Sequence, residues 1–163
     1  MSLENQFVNL CLNGNLNEAK EYYKNNPNID ISADNESAFI YACCKGHLKV
    51  AQWLFTIKPT IDISADNESA FRSACENGYL KVAQWLYTIK PTINISANNE
   101  YAFRWACNNG NLEVAQWLYT IKPTIDISAD NELAFYYACE KGNLEVAQWL
   151  YTIKPTINIS ANN

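Results

Sequence analysis

VAQWLFTIKPTIDISA, residues 50–65, returns at 82–97, 114–129 and 146–161 with only Phe/Tyr and Asp/Asn exchanges. The same step of 32 residues separates Phe39, Phe71, Phe103 and Phe135, and likewise Trp53, Trp85, Trp117 and Trp149. One structural unit is therefore repeated in register without insertions. A unit of this size cannot bury its apolar face alone, so neighbours stack to build a continuous core, the pattern of a solenoid. Solenoids present long surfaces for binding other macromolecules.

The unit from Asp34 to Ala65 reads as two short helices joined at a glycine. Asp34-Asn35-Glu36 opens it, with Asn35 as the preferred N-cap because it recurs as Asn67, Asn99 and Asn131. Glu36 in the first turn suits the helix dipole. Phe39, Ala42 and Cys43 then form a narrow apolar stripe at helical spacing. Gly46 recurs at 14, 78, 110 and 142, where a helix C-terminus calls for a left-handed residue. The second helix starts near Leu48. Its apolar residues Val50, Ala51, Trp53, Leu54 and Ile57 cover more than half the circumference, so it meets both its own first helix and an adjacent unit, with the tryptophans as core. Lys58-Pro59 stops it. Thr60-Ile61-Asp62-Ile63-Ser64 alternates, which suits an extended loop or short hairpin with its two isoleucines turned inward. The Asp62/Asn94/Asp126/Asn158 position lacks the clustered oxygen loop of a calcium site and reads as a cap for backbone donors in turns.

At 163 residues with 48% hydrophobic and 13% aromatic content, the chain suffices for one packed domain. The formal charge of -5 comes from scattered carboxylates, which argues against a nucleic-acid partner. No apolar stretch approaches a membrane span, and residues 1–5 have neither the basic start nor the apolar run of a signal peptide. The expected compartment is intracellular. Cys11, Cys43, Cys75, Cys107 and Cys139 share one position of the unit, where free buried thiols act as small hydrophobes; Cys44, at a site filled elsewhere by Glu76, Asn108 and Glu140, is expected to be exposed. His47, the only histidine, stands at a turn position held elsewhere by Asn15, Tyr79, Asn111 and Asn143, and reads as neither ligand nor base.

These features resemble the ankyrin repeat over essentially the whole chain. Gly46-His47-Leu48-Lys49-Val50-Ala51 looks like the family's Gly-His-Leu-Glu-Val-Val run, and residues 37–43, SAFIYAC, stand where Thr-Pro-Leu-His-x-Ala-Ala is expected. The unit is one residue shorter than the usual repeat, the Thr-Pro is absent, no His follows Phe39, and IKPTIDISA replaces the Gly-Ala-Asp-Val-Asn loop. A tetratricopeptide-type solenoid is the structural alternative, but the segment after each second helix is too long for a simple helix-helix turn. The resemblance implies an all-α ankyrin-type repeat solenoid, helix-turn-helix units joined by projecting β-turn loops. Near-identical, Asn- and Ile-rich repeats look like those abundant in giant DNA viruses, and a designed consensus array would look alike; host cytoplasm is the implied location if the chain is viral.

Residues 2–33 form a diverged first copy, followed by units at 34–65, 66–97, 98–129 and 130–161; Asn162-Asn163 repeats the opening of a sixth. In the first copy Glu18 and Glu21 stand where Val50 and Trp53 recur, on one helix face, so this copy reads as a cap. The last copy keeps the internal pattern, which leaves an apolar face and raises end-to-end association between chains.

Individuality resides in the first helix. Positions 37, 41, 44 and 45 share a face opposite the Phe39 stripe, and in ankyrin-like stacks that face lines the concave groove used for protein recognition. The candidate partner-binding residues are Tyr41, Arg72, Glu76, Tyr101, Arg104, Trp105, Asn108, Tyr136, Tyr137 and Glu140. Aromatics with arginine supply most interface hot spots. With no nucleophile-base pair, phosphate loop or metal cluster in the sequence, the expectation is a non-enzymatic module that binds a protein or peptide without a cofactor. The alternative is a structural scaffold that self-associates through its last copy.

Overall fold

The computed structural model describes residues 2–157. Among them ten helices alternate with turns, and there is no strand. The helices pair as α1 (Leu3–Leu12) with α2 (Leu16–Asn25), α3 (Ala33–Cys44) with α4 (Leu48–Ile57), and α5 (Ala65–Glu76) with α6 (Leu80–Ile89). The last pairs are α7 (Ala97–Asn108) with α8 (Leu112–Ile121), and α9 (Ala129–Glu140) with α10 (Leu144–Ile153). Each second helix begins at the leucine and ends before the Lys-Pro pair, or before Asn26-Pro27 in the first copy, as the periodicity predicts. The opening of a sixth copy, Asn162-Asn163, lies outside the described residues.

The helices belong to two compact units, Met1–Ala74 with Lys81–Pro91, and Cys75–Leu80 with Thr92 onward. In the first unit α1 packs on α2 and α3, and α3 on α4, around the fully buried Phe7, Phe39, Val50, Leu54 and Leu86. In the second, α7 packs on α8 and α9, and α9 on α10, around Phe103, Leu118 and Leu150. Burying a side chain of this size contributes about 1.5–3 kcal/mol, so the identical core of every copy is the main cohesive element. Three of the recurrent tryptophans reach back to the phenylalanine of the copy before them: Trp53 to Phe7 at 6.0 Å between ring centroids, Trp85 to Phe39 at 6.1 Å, and Trp149 to Phe103 at 6.2 Å. The tryptophans are half-buried, so the core expected of them is its rim. Their direction explains the first copy: Glu21 occupies the spot from which a tryptophan points toward a preceding repeat, and Glu18 and Glu21 are both exposed.

The turn between paired helices is set by its glycine. His47 N–H donates to the Ala42 carbonyl at 2.8 Å and Gly46 N–H to Cys43 at 3.0 Å, the paired bonds that end a helix on a left-handed residue. Gly14 has φ 76°, and a Cβ there would sit 2.6 Å from the His47 ring; at Gly110, also φ 76°, it would sit 2.7 Å from Asn143 Oδ1. Those neighbours explain the position after the glycine. His47 Nε2 donates to the Leu12 carbonyl at 3.0 Å, Asn111 Nδ2 to Glu76 O at 2.7 Å, and Asn143 Nδ2 to Asn108 O at 2.7 Å, each satisfying an orphan carbonyl at the end of the preceding first helix.

The loops differ from expectation in one respect and meet it in others. Asp34, Asn35 and Glu36 are all left-handed, with φ 51°, 58° and 66°, and the same triplet recurs at 66–68, 98–100 and 130–132. Asn35 is therefore no N-cap, because a cap needs extended backbone and Asn35 is left-handed. The left-handed region costs about 1–2 kcal/mol per L-residue, least for Asp and Asn. Glu36 is buried instead of lying on an open first turn: it accepts Ser32 Oγ at 2.7 Å through one oxygen and the Asp62 N–H at 3.2 Å through the other. Lys58 Nζ donates to the same Ser32 hydroxyl and lies 3.8 Å from Asp30 Oδ1. Lys90 with Ser64 and Glu68 repeats this clasp, as do Lys122 with Ser96 and Glu100. Ile61 and Ile63 are buried below it, as the alternation predicts. Asp62 Oδ1 accepts the Ser64 N–H at 3.0 Å, and Asp126 Oδ1 that of Ser128 at 2.9 Å, so this position does serve backbone donors.

Cys11, Cys43, Cys75 and Cys107 are buried free thiols. Burial pushes the Cys11 thiol up to about 12 and the other three higher still. Cys139 departs from its series: it is exposed. Cys44 is half-buried, short of the exposure expected for it.

Candidate functional site

Eight of the ten candidate residues fall in the second unit, on α7, α9 and the short segment around Glu76. Their centre is a row of rings. Tyr101 and Trp105, one helical turn apart on α7, have centroids 5.6 Å apart, and Trp105 stacks on Tyr137 of α9 at 6.4 Å with an interplanar angle of 27°. Tyr136 extends the row edge-on to Tyr137 at 5.4 Å. Such pairs contribute about 0.5–1.5 kcal/mol each beyond burial, which fixes the rings in place. Trp105, Tyr101 and Tyr137 remain half-exposed and Tyr136 is 37% exposed, so a broad aromatic edge faces solvent. Tyr101 Oη donates to Glu76 Oε2 at 3.0 Å, which seats a carboxylate at one end of the row. Glu140, one turn beyond Tyr137 on α9, is exposed.

Three of the candidates serve the fold instead. Arg104 Nε donates to Asn99 O at 2.7 Å, its Nη2 to Asn98 O at 3.3 Å, and its Nη1 pairs with Asp130 Oδ2 at 2.9 Å, leaving its side chain 11% exposed. Arg72 does the same in the first unit, with Nε to Asn67 O at 2.8 Å and Nη2 to Asp66 O at 3.1 Å. The left-handed triplet turns its carbonyls toward this position, and a guanidinium is the group that can hold two of them at once. Neither arginine is a free hot spot. Asn108 does not reach the surface at all: it is 5% exposed, bonded through Nδ2 to Asn109 Oδ1 at 2.7 Å, with its carbonyl taken by Asn143.

The first unit presents less. Tyr41 is 43% exposed, and Ser73 holds in α5 the position that Trp105 holds in α7. Among the described residues no group of His, Cys, Asp and Glu is placed to hold a metal ion, and no helix is long and apolar enough to cross a membrane. The arrangement offers packing area, ring faces and two carboxylates. The sequence reading missed the carbonyl-capping role of Asn111 and Asn143, although asparagine after three of the five glycines was its visible signal.

Helix-turn-helix pairs repeated in register, each joined to the next by a loop with two buried isoleucines and carrying one variable helix face, define an α-helical repeat protein. A family model described as ankyrin repeats (3 copies) matches residues 7–99 and 74–163. The chain belongs to the ankyrin repeat family, whose members are as a rule protein–protein interaction modules. A search of curated proteins found no match.

Proposed function

We propose that this chain is a non-enzymatic interaction module that holds a protein or peptide on the first-helix face, the concave face of an ankyrin stack, without a cofactor. The observation that carries this reading is the row Tyr101, Trp105, Tyr137 and Tyr136, a pre-formed and half-open aromatic surface at first-helix positions where otherwise near-identical copies differ. Rigid aromatic area of this kind is what interface hot spots are made of. The remaining candidates support it unequally: Tyr41, Glu76 and Glu140 as contacts, Arg72 and Arg104 as struts beneath them. Serine held between lysine and glutamate has the composition of an activated nucleophile, but its recurrence in loop after loop fits a fastener. Six free thiols favour a reducing, intracellular compartment.

The test is a pull-down from native cell or host extract with the parent and a Trp105→Ala/Tyr137→Ala version of matched thermal stability. Capture by the parent alone supports the aromatic row as the binding site; equal recoveries sink it. A second reading, a scaffold that self-associates through its last repeat, rests on Leu144 and Tyr151, 65% and 52% exposed where the equivalent residues of inner copies are half-buried. Sedimentation over a wide concentration range decides it, since a monomer at high concentration removes that reading.

A further inference from the structure

We infer that the partner segment seated on the Trp105 row is cationic, an exposed stretch carrying arginine or lysine; this rests on the recognition reading above. Three observations converge on that chemistry. The ring faces of Trp105 and Tyr137 are half-open, and an aromatic face attracts a cation placed over it. A carboxylate stands toward either end of the row, Glu76 tied to Tyr101 and Glu140 one turn beyond Tyr137. Arg104, the cation closest in sequence to Trp105, is neutralised by two backbone carbonyls and Asp130.

Net charge points the same way. The unit that carries the row holds 4 of the 12 Lys and Arg residues but 8 of the 17 Asp and Glu residues, a formal charge of -4 against -1 for the other. Lys122 and Lys154 are engaged with Glu100 and Glu132 at 3.6 and 3.2 Å. Lys141, exposed one turn after Tyr137, is the opposing charge on this face. An acidic field of this kind speeds the approach of a basic segment and repels an acidic one, with steep salt dependence. Single-stranded nucleic acid also stacks on aromatic rows, but it needs a positively charged groove to carry its phosphates.

The test selects binders from a phage library of random dodecapeptides on the immobilised full chain, with the Trp105→Ser chain as counter-screen. Serine already occupies that position in α5 as Ser73, so the variant keeps a residue the repeat tolerates. The expected result is a pool enriched in Arg and Lys whose retention needs Trp105. It weakens about three- to fivefold in Glu140→Gln, as for an exposed ion pair, and tightens about twofold in Lys141→Gln. Trp105-dependent binders without cation enrichment, or binders indifferent to Glu140→Gln, overturn this inference and leave the recognition reading standing. Absence of any Trp105-dependent peptide overturns both, and retention of a labelled single-stranded oligonucleotide in place of peptides overturns the cationic partner.

Discussion

The loop clasps and the Trp105 row are built on opposite plans from the same repeat. In the loops the four later copies use one solution, a buried glutamate bound to a serine hydroxyl with a lysine drawn over it, and each of these residues is bonded to another. On the first helix the position of Tyr41, Ser73, Trp105 and Tyr137 varies among the copies, and on α7 and α9 its rings stack on each other. A stacked array can let one face drift because core, turn and loop together hold register without it. Variation is therefore informative in proportion to the constancy around it, and the second unit is where variation has assembled a surface.

That contrast can be broken at several strengths. The largest effect is expected from Phe103→Ala, which removes a fully buried ring shared by the core and Trp149 and should lower unfolding free energy by about 3–5 kcal/mol in urea. Glu100→Ala comes next: it leaves the Ser96 hydroxyl and Lys122 without their carboxylate, and a loss of about 1–3 kcal/mol is expected. A change indistinguishable from zero would make the clasp decorative. Gly110→Ala places a Cβ at φ 76° against Asn143 and should cost about 1–2 kcal/mol by thermal melting.

The smallest effect at neutral pH concerns the thiols. Cys139 and Cys44 should react with an aromatic disulfide reagent well before Cys11, Cys43, Cys75 and Cys107, whose burial keeps them protonated. Because the folded thiol values lie above the ordinary 9.0, their protonated form favours the fold below that pH. This stabilisation should decline as pH rises from 9.0, for Cys11 toward about 12. Uniform reactivity of all six would mean that the stack opens as a whole.

Helix limits, glycine turns and inward isoleucines were legible because each follows from a periodicity or from a residue with one conformational use. The left-handed triplet was not, since Asp-Asn-Glu before an apolar run also spells a helix start, and only the partners of Glu36 and Arg104 reveal the other choice. Asn108 and the two arginines misled for a related reason: position on a helix face says where a side chain can point, while a neighbour with an unmet carbonyl decides where it goes. Exposure of Glu18 and Glu21 was readable from their charge, at positions where Val50 and Trp53 recur in the later copies.

The central claim is that the Trp105 row serves binding while the constant framework holds the fold. It is tested most directly by rewriting the row with the serines that the 66–97 copy carries at these positions, Tyr101→Ser, Trp105→Ser and Tyr137→Ser together, and measuring melting temperature and partner capture on one sample. A cooperative fold, its melting temperature lowered by no more than the lost ring pairs and their half-buried area account for, that retains no partner is the predicted result. Capture at parental level by that folded variant would contradict the account.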